Sequence, residues 1–346
     1  MRILFSSHVF SPSVGGIETV SRLLAREFVR QGHQVRLITQ TPGDPECEDF
    51  AIYRRPSARE LLRLVRWCDV CFHNNISLPK AWPLLLVRRP WVVAHHVWIP
   101  ESGIAARAKR HALRHAAGSI SVSRAIADHL ETPSKIIPNP YDDSLFRVDA
   151  GAGRTRDLVF LGRLVIDKGA DLLLSAVAAL ARDGLHPTVT IVGGGPEEAA
   201  LRAQVQSAGL SSAVNFTGPR SGAALVELLN QHRVLVIPSR WQEPFGVVAL
   251  EGIAAGCVVV GSNGGGLPDA IGACGESFPN GDADALASVL AALLRDPARY
   301  AALRRGAERH LHRHNRAQVA SEYLGVFAQA LRASPSRARA QGLSDV

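Results

Sequence analysis

EPFGVVALEGIAAG, Glu243 to Gly256, lies between two apolar runs, RVLVIPS (Arg233–Ser239) and VVVGS (Val258–Ser262). Strand, helix and strand in that order describe a crossover unit, so the chain reads as α/β with parallel sheets covered on both faces. Within the stretch, Glu243 and Glu251 stand eight residues apart around a Pro and a Gly that open an apolar helix. A helix start presents unpaired backbone N–H groups and a partial positive charge, so Phe245, Gly246 and Val247 offer amides to a phosphate. A carboxylate about two turns further in suits hydroxyls instead, such as the diol of a ribose. One segment is therefore suited to both ends of a nucleoside diphosphate. Without a ligand it is a capped helix carrying two solvated acids.

Working outward, LVFLGRLVIDKG (Leu158–Gly169) is a short apolar strand, a turn, and two cations five residues apart. An Arg fork and a Lys point charge at a strand's end suit a diphosphate. The Gly-Lys-Ser/Thr ending of a phosphate-binding P-loop is missing. VTIVGGGP (Val189–Pro196) runs from a strand into a glycine turn, where backbone can approach a ligand closely. NFTG (Asn215–Gly218) and VVVGSNGGGLP (Val258–Pro268) add further strand ends.

The order and spacing of these elements resemble the retaining glycosyltransferases of the GT-B fold, family 4 in particular. Glu243 and Glu251 match the E-x7-E signature, Arg163 and Lys168 the G-R-x(4)-K-G element, and Gly193 to Pro196 the V-G-x-G-P loop. The resemblance implies that Arg163 and Lys168 stabilise the leaving group, that Glu243 lies by the donor sugar, and that Glu251 grips the ribose. It implies that Gly193 and Gly195 lie near the base.

In the first half, RILFSS (Arg2–Ser7) is a strand, followed by Pro12, GGIE (Gly15–Glu18) and a helix expected over about Thr19–Gln31. Leu23, Leu24 and Phe28 share one face of that helix. The loop lacks the G-x-G-x-x-G fingerprint of dinucleotide dehydrogenases. It resembles the family's P-x(2)-G-G-x-E loop, whose glycine amides face donor phosphate and acceptor, making Gly15 and Gly16 candidates. Glu18 fits equally as a first-turn acid facing the helix dipole. WVVAHHVW (Trp91–Trp98) ends a buried strand with two imidazoles, which point to opposite faces. His95 aligns with the family histidine and is a candidate contact to donor sugar or acceptor, or else a structural residue. His96 stands where the family commonly has Asp.

With 346 residues, 47% hydrophobic and 20% charged, the chain suffices for two domains with large cores. The resemblance implies an N-terminal Rossmann-like acceptor domain over 1–150 and a C-terminal donor domain over 151–315. The segment Asp149–Thr155 would be the linker. A helix over 316–333 carries Val319, Tyr323, Val326, Phe327 and Ala330 on one face and, by the same resemblance, would cross back to the first domain, followed by a disordered tail over 334–346. No run of 18 uncharged apolar residues exists, and Met1-Arg2 leads straight into a strand, so a cytoplasmic protein is expected. Cys68 and Cys71 have redox-motif spacing but sit in an apolar strand and read as reduced core thiols. The DAD at Asp282–Asp284 follows Asn-Gly and reads as a helix cap rather than a metal ligand. No essential metal and no cofactor are expected.

The charge of +8 is uneven, with 20 basic against 14 acidic residues over 1–150 and 19 against 17 over 151–346. The segments Tyr53–Trp67 and Ile104–Ala117 carry cations among apolar residues and read as basic amphipathic helices, suited to an anionic membrane surface or to plain solvation. They lack exposed aromatic stacking partners and any known nucleic-acid-binding motif.

The fold implied by the resemblance is two facing Rossmann-like domains with an inter-domain cleft. The activity implied is transfer from a UDP- or GDP-type sugar to a hydroxyl of a glycan or lipid-linked acceptor, in surface polysaccharide or glycolipid synthesis. The enzyme would be retaining and metal-independent. The alternatives are a nucleotide-sugar 2-epimerase-like isomerase and a non-catalytic partner subunit that binds nucleotide or lipid.

Overall fold

The computed structural model describes residues 1–13, 15–44 and 48–333, so Cys47 and the expected tail over 334–346 lie outside the described residues. The chain divides into two compact units, Met1–Pro140 together with the segment from Arg316, and Tyr141–Asn315.

The first unit holds a seven-stranded parallel sheet of β1 (Arg2–Ser7), β2 (Gln34–Thr39), β3 (Ala51–Arg54), β4 (Val70–Asn74), β5 (Trp91–His95), β6 (Gly118–Ser121) and β7 (Lys135–Ile136), in the order β3-β2-β1-β4-β5-β6-β7. Ile3, Leu4 and Phe5 of central β1 are all buried, because a parallel sheet is covered on both faces. The first helix, Gly16–Arg30, buries Leu23, Leu24 and Phe28 as its apolar face predicts. It starts ahead of Thr19, whose N–H already donates to Gly15 O at 3.1 Å. The basic segment expected as one helix from Tyr53 is split. Tyr53 and Arg54 pair in β3 with Ile38 and Thr39, and the helix runs Ala58–Trp67 under a Ser57 cap. The second basic helix spans Ile104–Leu113.

The closing helix, Arg316–Ala333, belongs to this unit and buries Val319, Tyr323, Val326, Phe327 and Ala330. Phe72 of β4 packs its ring 5.1 Å from Phe327 and 4.6 Å from Phe5, so strand and helix share one aromatic cluster.

The second unit holds a six-stranded parallel sheet of β8 (Arg156–Leu161), β9 (Val189–Val192), β10 (Val214–Gly218), β11 (His232–Ile237), β12 (Val258–Ser262) and β13 (Gly275–Phe278), in the order β10-β9-β8-β11-β12-β13. Leu158, Phe160, Val234, Val236, Val258 and Val260 form its core with Leu173 and Leu290 of the flanking helices. The boundary falls after Pro140 rather than at 150. Asp149 N–H donates to Asn230 Oδ1 at 2.8 Å, and the Arg154 guanidinium donates to His232 O and Ala255 O. The glycine-rich stretch expected as a linker is therefore bonded into this unit. Asp282 caps the helix Ala283–Arg295, accepting from Ala285 N–H at 2.8 Å. Among the described residues no helix is long and apolar enough to cross a membrane.

Candidate active site

In the second sheet the chain runs from β8 outward to β9 and β10, then returns past β8 to β11. Strand order reverses between β8 and β11, and in open parallel sheets such a reversal opens a crevice at the carboxyl ends. The two loops there are Gly162–Gly169 and Pro238–Gly246. They carry Arg163 and Lys168, and Glu243, Phe245 and Gly246 respectively.

These loops and their neighbours interlock through backbone. Leu164 N–H donates to Gly194 O at 3.0 Å, and a Cβ on Gly193 would lie 1.8 Å from Gly162 O. Gly193 and Gly195 are thus required for two loops to touch, whatever else they contact. On the other side, a Cβ on Gly169, whose φ is +67°, would meet Pro238 O at 1.9 Å. The Lys168 loop lies directly against the end of β11.

That approach assembles the polar centre. Lys168 Nζ donates to Glu243 Oε1 at 2.5 Å, and the Ser239 hydroxyl donates to the same oxygen at 2.8 Å. Glu243 O accepts from Gly266 N–H at 2.6 Å, which ties the loop after β12 to the same point. Glu243 is therefore held at both its side chain and its backbone. Lys168 spends one of three N–H donors on it and keeps two. Arg163 is exposed and makes no ion pair among the described residues.

The helix Val247–Ala254 starts beside this centre. Phe245 is buried, with its ring 5.6 Å from His314, and Gly246 at φ +103° turns the chain into the helix. Among the described residues no hydrogen-bond partner occupies the Phe245, Gly246 or Val247 N–H. Glu251 lies on the same helix, partly buried, and its carboxylate has no hydrogen-bond partner among the described residues. Burial, and secondarily the negative charge of Asp142, push its carboxyl up to about 7.

Sequence reading did not find Ser239, nor the fork in which Arg240 donates to both oxygens of Asp171 at 2.5 and 2.7 Å. Ser239 lies two residues past β11 and stands in the sequence only as the last residue of an apolar run. Asp171 and Arg240 are 69 positions apart, which no local pattern records.

The remaining candidates lie in the first unit and are described within it. Gly15 caps and Gly16 opens the first helix, and Glu18 Oε1 accepts from the Ser13 hydroxyl at 2.9 Å, a local first-turn role. His95 is 1% exposed, and its Nε2 lies 3.1 Å from Ser119 Oγ. Burial lowers it to about 4, so the imidazole is neutral at physiological pH. His96 is also buried and is lowered to about 3, chiefly by burial and then by His95. The backbone N–H of His96 donates to Asn75 Oδ1 at 2.8 Å. Both rings are buried within the first unit, where His95 on β5 meets Ser119 on β6.

The comparisons agree with this partition. Residues 14–145 match the family model described as Glycosyltransferase Family 4, and residues 144–310 match that described as Glycosyl transferases group 1. Glycogen synthase of Mycobacterium tuberculosis is 35% identical over 167 residues, 47% of this chain and 40% of that protein. A GDP-mannose-dependent alpha-(1-6)-phosphatidylinositol monomannoside mannosyltransferase of Mycolicibacterium smegmatis is 33% identical over 180 residues, 49% of this chain and 46% of that protein. The chain thus spans less than half the length of these relatives. The crystal structure of Anabaena HepE in complex with UDP shares the fold at TM-score 0.80 and 20% identity, covering 95% of this chain and all of that one. With its two halves matched in sequence by these two models, and its two parallel sheets by a solved structure, the chain belongs to the GT-B glycosyltransferases of the family 4 type.

Proposed function

We propose that the protein transfers a glycosyl group from a nucleotide-diphosphate sugar, of UDP or GDP type, to a hydroxyl of a glycan or lipid-linked acceptor, with the anomeric configuration retained. The observation that carries this reading is the pairing of Lys168 with Glu243 at the mouth of a helix whose first amides have no partner among the described residues. As the sugar departs, negative charge grows on the diphosphate. Arg163, the two remaining N–H groups of Lys168 and the Phe245–Val247 amides would meet it there. Glu243, fixed by Lys168 and Ser239, would orient the sugar, and Glu251 would accept from the ribose hydroxyls. The acceptor oxygen attacks the anomeric carbon on the face from which the diphosphate leaves. One C–O bond forms as the other breaks, and a leaving phosphate oxygen takes the acceptor's proton. Gly15, Gly16 and the base-side glycines enter only through the family resemblance. In this reading protein cations and amides carry the charge, so turnover should persist in EDTA.

Two comparisons support the donor class. The Anabaena neighbour was solved with UDP, and the Mycolicibacterium relative is GDP-mannose-dependent. The deciding experiment is a thermal-shift screen against UDP- and GDP-sugars, since a ligand bound only by the folded state raises its melting point. A clear rise with one base series supports the reading, and no rise with any nucleotide sugar would sink it. An epimer formed from donor alone would identify an isomerase instead.

We further propose that the first unit meets anionic lipid peripherally. Arg59, Arg63 and Arg66 are exposed on the helix Ala58–Trp67, and Leu85 and Leu86 are 86% and 69% exposed. Flotation with anionic vesicles that weakens as salt is raised is the expected result. Equal recovery with neutral vesicles would remove this part of the proposal.

A further inference from the structure

We propose that Asp171 and Arg240 are a positioning pair, a clasp that holds the Lys168 loop and the Glu243 loop in register for catalysis. The inference rests on the transferase reading above and names residues that reading does not use.

The two loops leave neighbouring strands and share no covalent connection for about seventy residues. Only side-chain and backbone bonds can set the distance between Lys168 and Glu243. Arg240 stands three residues before Glu243, and Asp171 three residues after Lys168. The Arg240 guanidinium donates to both carboxylate oxygens of Asp171 at 2.5 and 2.7 Å. Its backbone N–H donates to Asp167 O at 2.9 Å, and the next N–H, from Trp241, donates to the same oxygen at 3.2 Å. Asn280 Nδ2 donates to Arg240 O at 3.0 Å, which holds the residue from its far side. Arg240 is thus held at its guanidinium, its N–H and its carbonyl.

A two-point fork fixes orientation as well as distance, which a single N–H contact does not. The pair is also partly open to water, with side chains 35% and 44% exposed, and ion pairs at that exposure add little to stability. Its contribution is geometric. A small displacement of a catalytic cation or carboxylate costs rate far beyond what it costs in folding.

The test compares the full chain with R240A, D171N and the double variant, using the donor identified by thermal shift. Each single change should lower kcat about tenfold while donor KM moves less than about threefold, and the double variant should fall no further than either single. R240K, which keeps the charge but loses the fork, should recover only part of the loss. Amide hydrogen exchange should quicken in 163–169 and 239–246, equally in all three variants, with β8 and β11 still protected. Unchanged kcat, or losses that multiply to about a hundredfold in the double variant, would overturn the clasp. If the wild-type protein turns over no donor, the transferase reading fails first. The exchange measurement then decides alone: quickening confined to the two loops supports the clasp, and unaltered protection in R240A removes it.

Discussion

At the residue scale, the site sets partnered groups beside unpartnered ones. Glu243 has two side-chain partners, whereas Glu251 has none among the described residues and sits where burial and Asp142 raise it to about 7. A carboxyl raised on folding holds a proton that the unfolded chain has released, so stability falls as pH climbs from about 4.5 to about 7 and stays reduced above. Glu251→Gln is expected to melt several degrees higher than wild type at pH 8. The two should converge near pH 4, where both side chains are neutral in either state. On the proposed ribose role, the same variant should raise donor KM more than it lowers kcat, since the amide offers one neutral oxygen in place of a charged carboxylate. Equal melting points at pH 8 would show that the carboxylate is better solvated than its surroundings indicate. Arg163 has no ion pair among the described residues, so removing it should leave folding intact. Arg163→Ala is expected to lower kcat/KM by two decades or more, about 3 kcal/mol of transition-state stabilisation. Near-normal turnover would take the cation out of the mechanism.

At the element scale, the closing helix Arg316–Ala333 completes the first unit's core. Phe327 is fully buried among Phe28, Phe72 and Tyr323, with ring centroids 5.1 to 6.4 Å away. Phe327→Ala should destabilise by about 3–5 kcal/mol through lost burial and the cavity left behind. Gly118 on β6 leaves room for the same helix, because a Cβ there would lie 2.9 Å from Val326 Cγ1. The apolar face of this helix was legible from its spacing alone, as was that of Gly16–Arg30. The break between Arg54 and Ala58 was not. Pairing of Ala51–Arg54 with β2 overrides a helical pattern that continues through it, and a pattern does not record a neighbouring strand.

For the whole molecule, the two units differ in continuity. Tyr141–Asn315 is one uninterrupted segment with its own core, whereas the first unit needs a helix that arrives after the second has been completed. Expressed alone, Tyr141–Asn315 should unfold cooperatively and bind the free nucleotide diphosphate. Met1–Pro140 alone exposes Phe28 and Phe72 and should aggregate or remain molten, and adding the 316–333 segment in trans should rescue it. Cooperative folding of Met1–Pro140 by itself would show the helix to be dispensable.

The sequence alone determined the parallel α/β class, the buried strands and the motif-bearing loops, because these depend on apolar periodicity and on glycine and proline at turns. It also carried the Arg163, Lys168, Glu243 and Glu251 candidates, through spacing within single loops and one helix. Tertiary structure alone decided which of them touch: the Lys168–Glu243 pair, the Ser239 hydroxyl on the same oxygen, the Asp171–Arg240 fork and the burial of both His95 and His96. Those contacts join loops far apart in sequence, and they form only when strand order brings β8 beside β11 or when neighbouring elements close over a strand end.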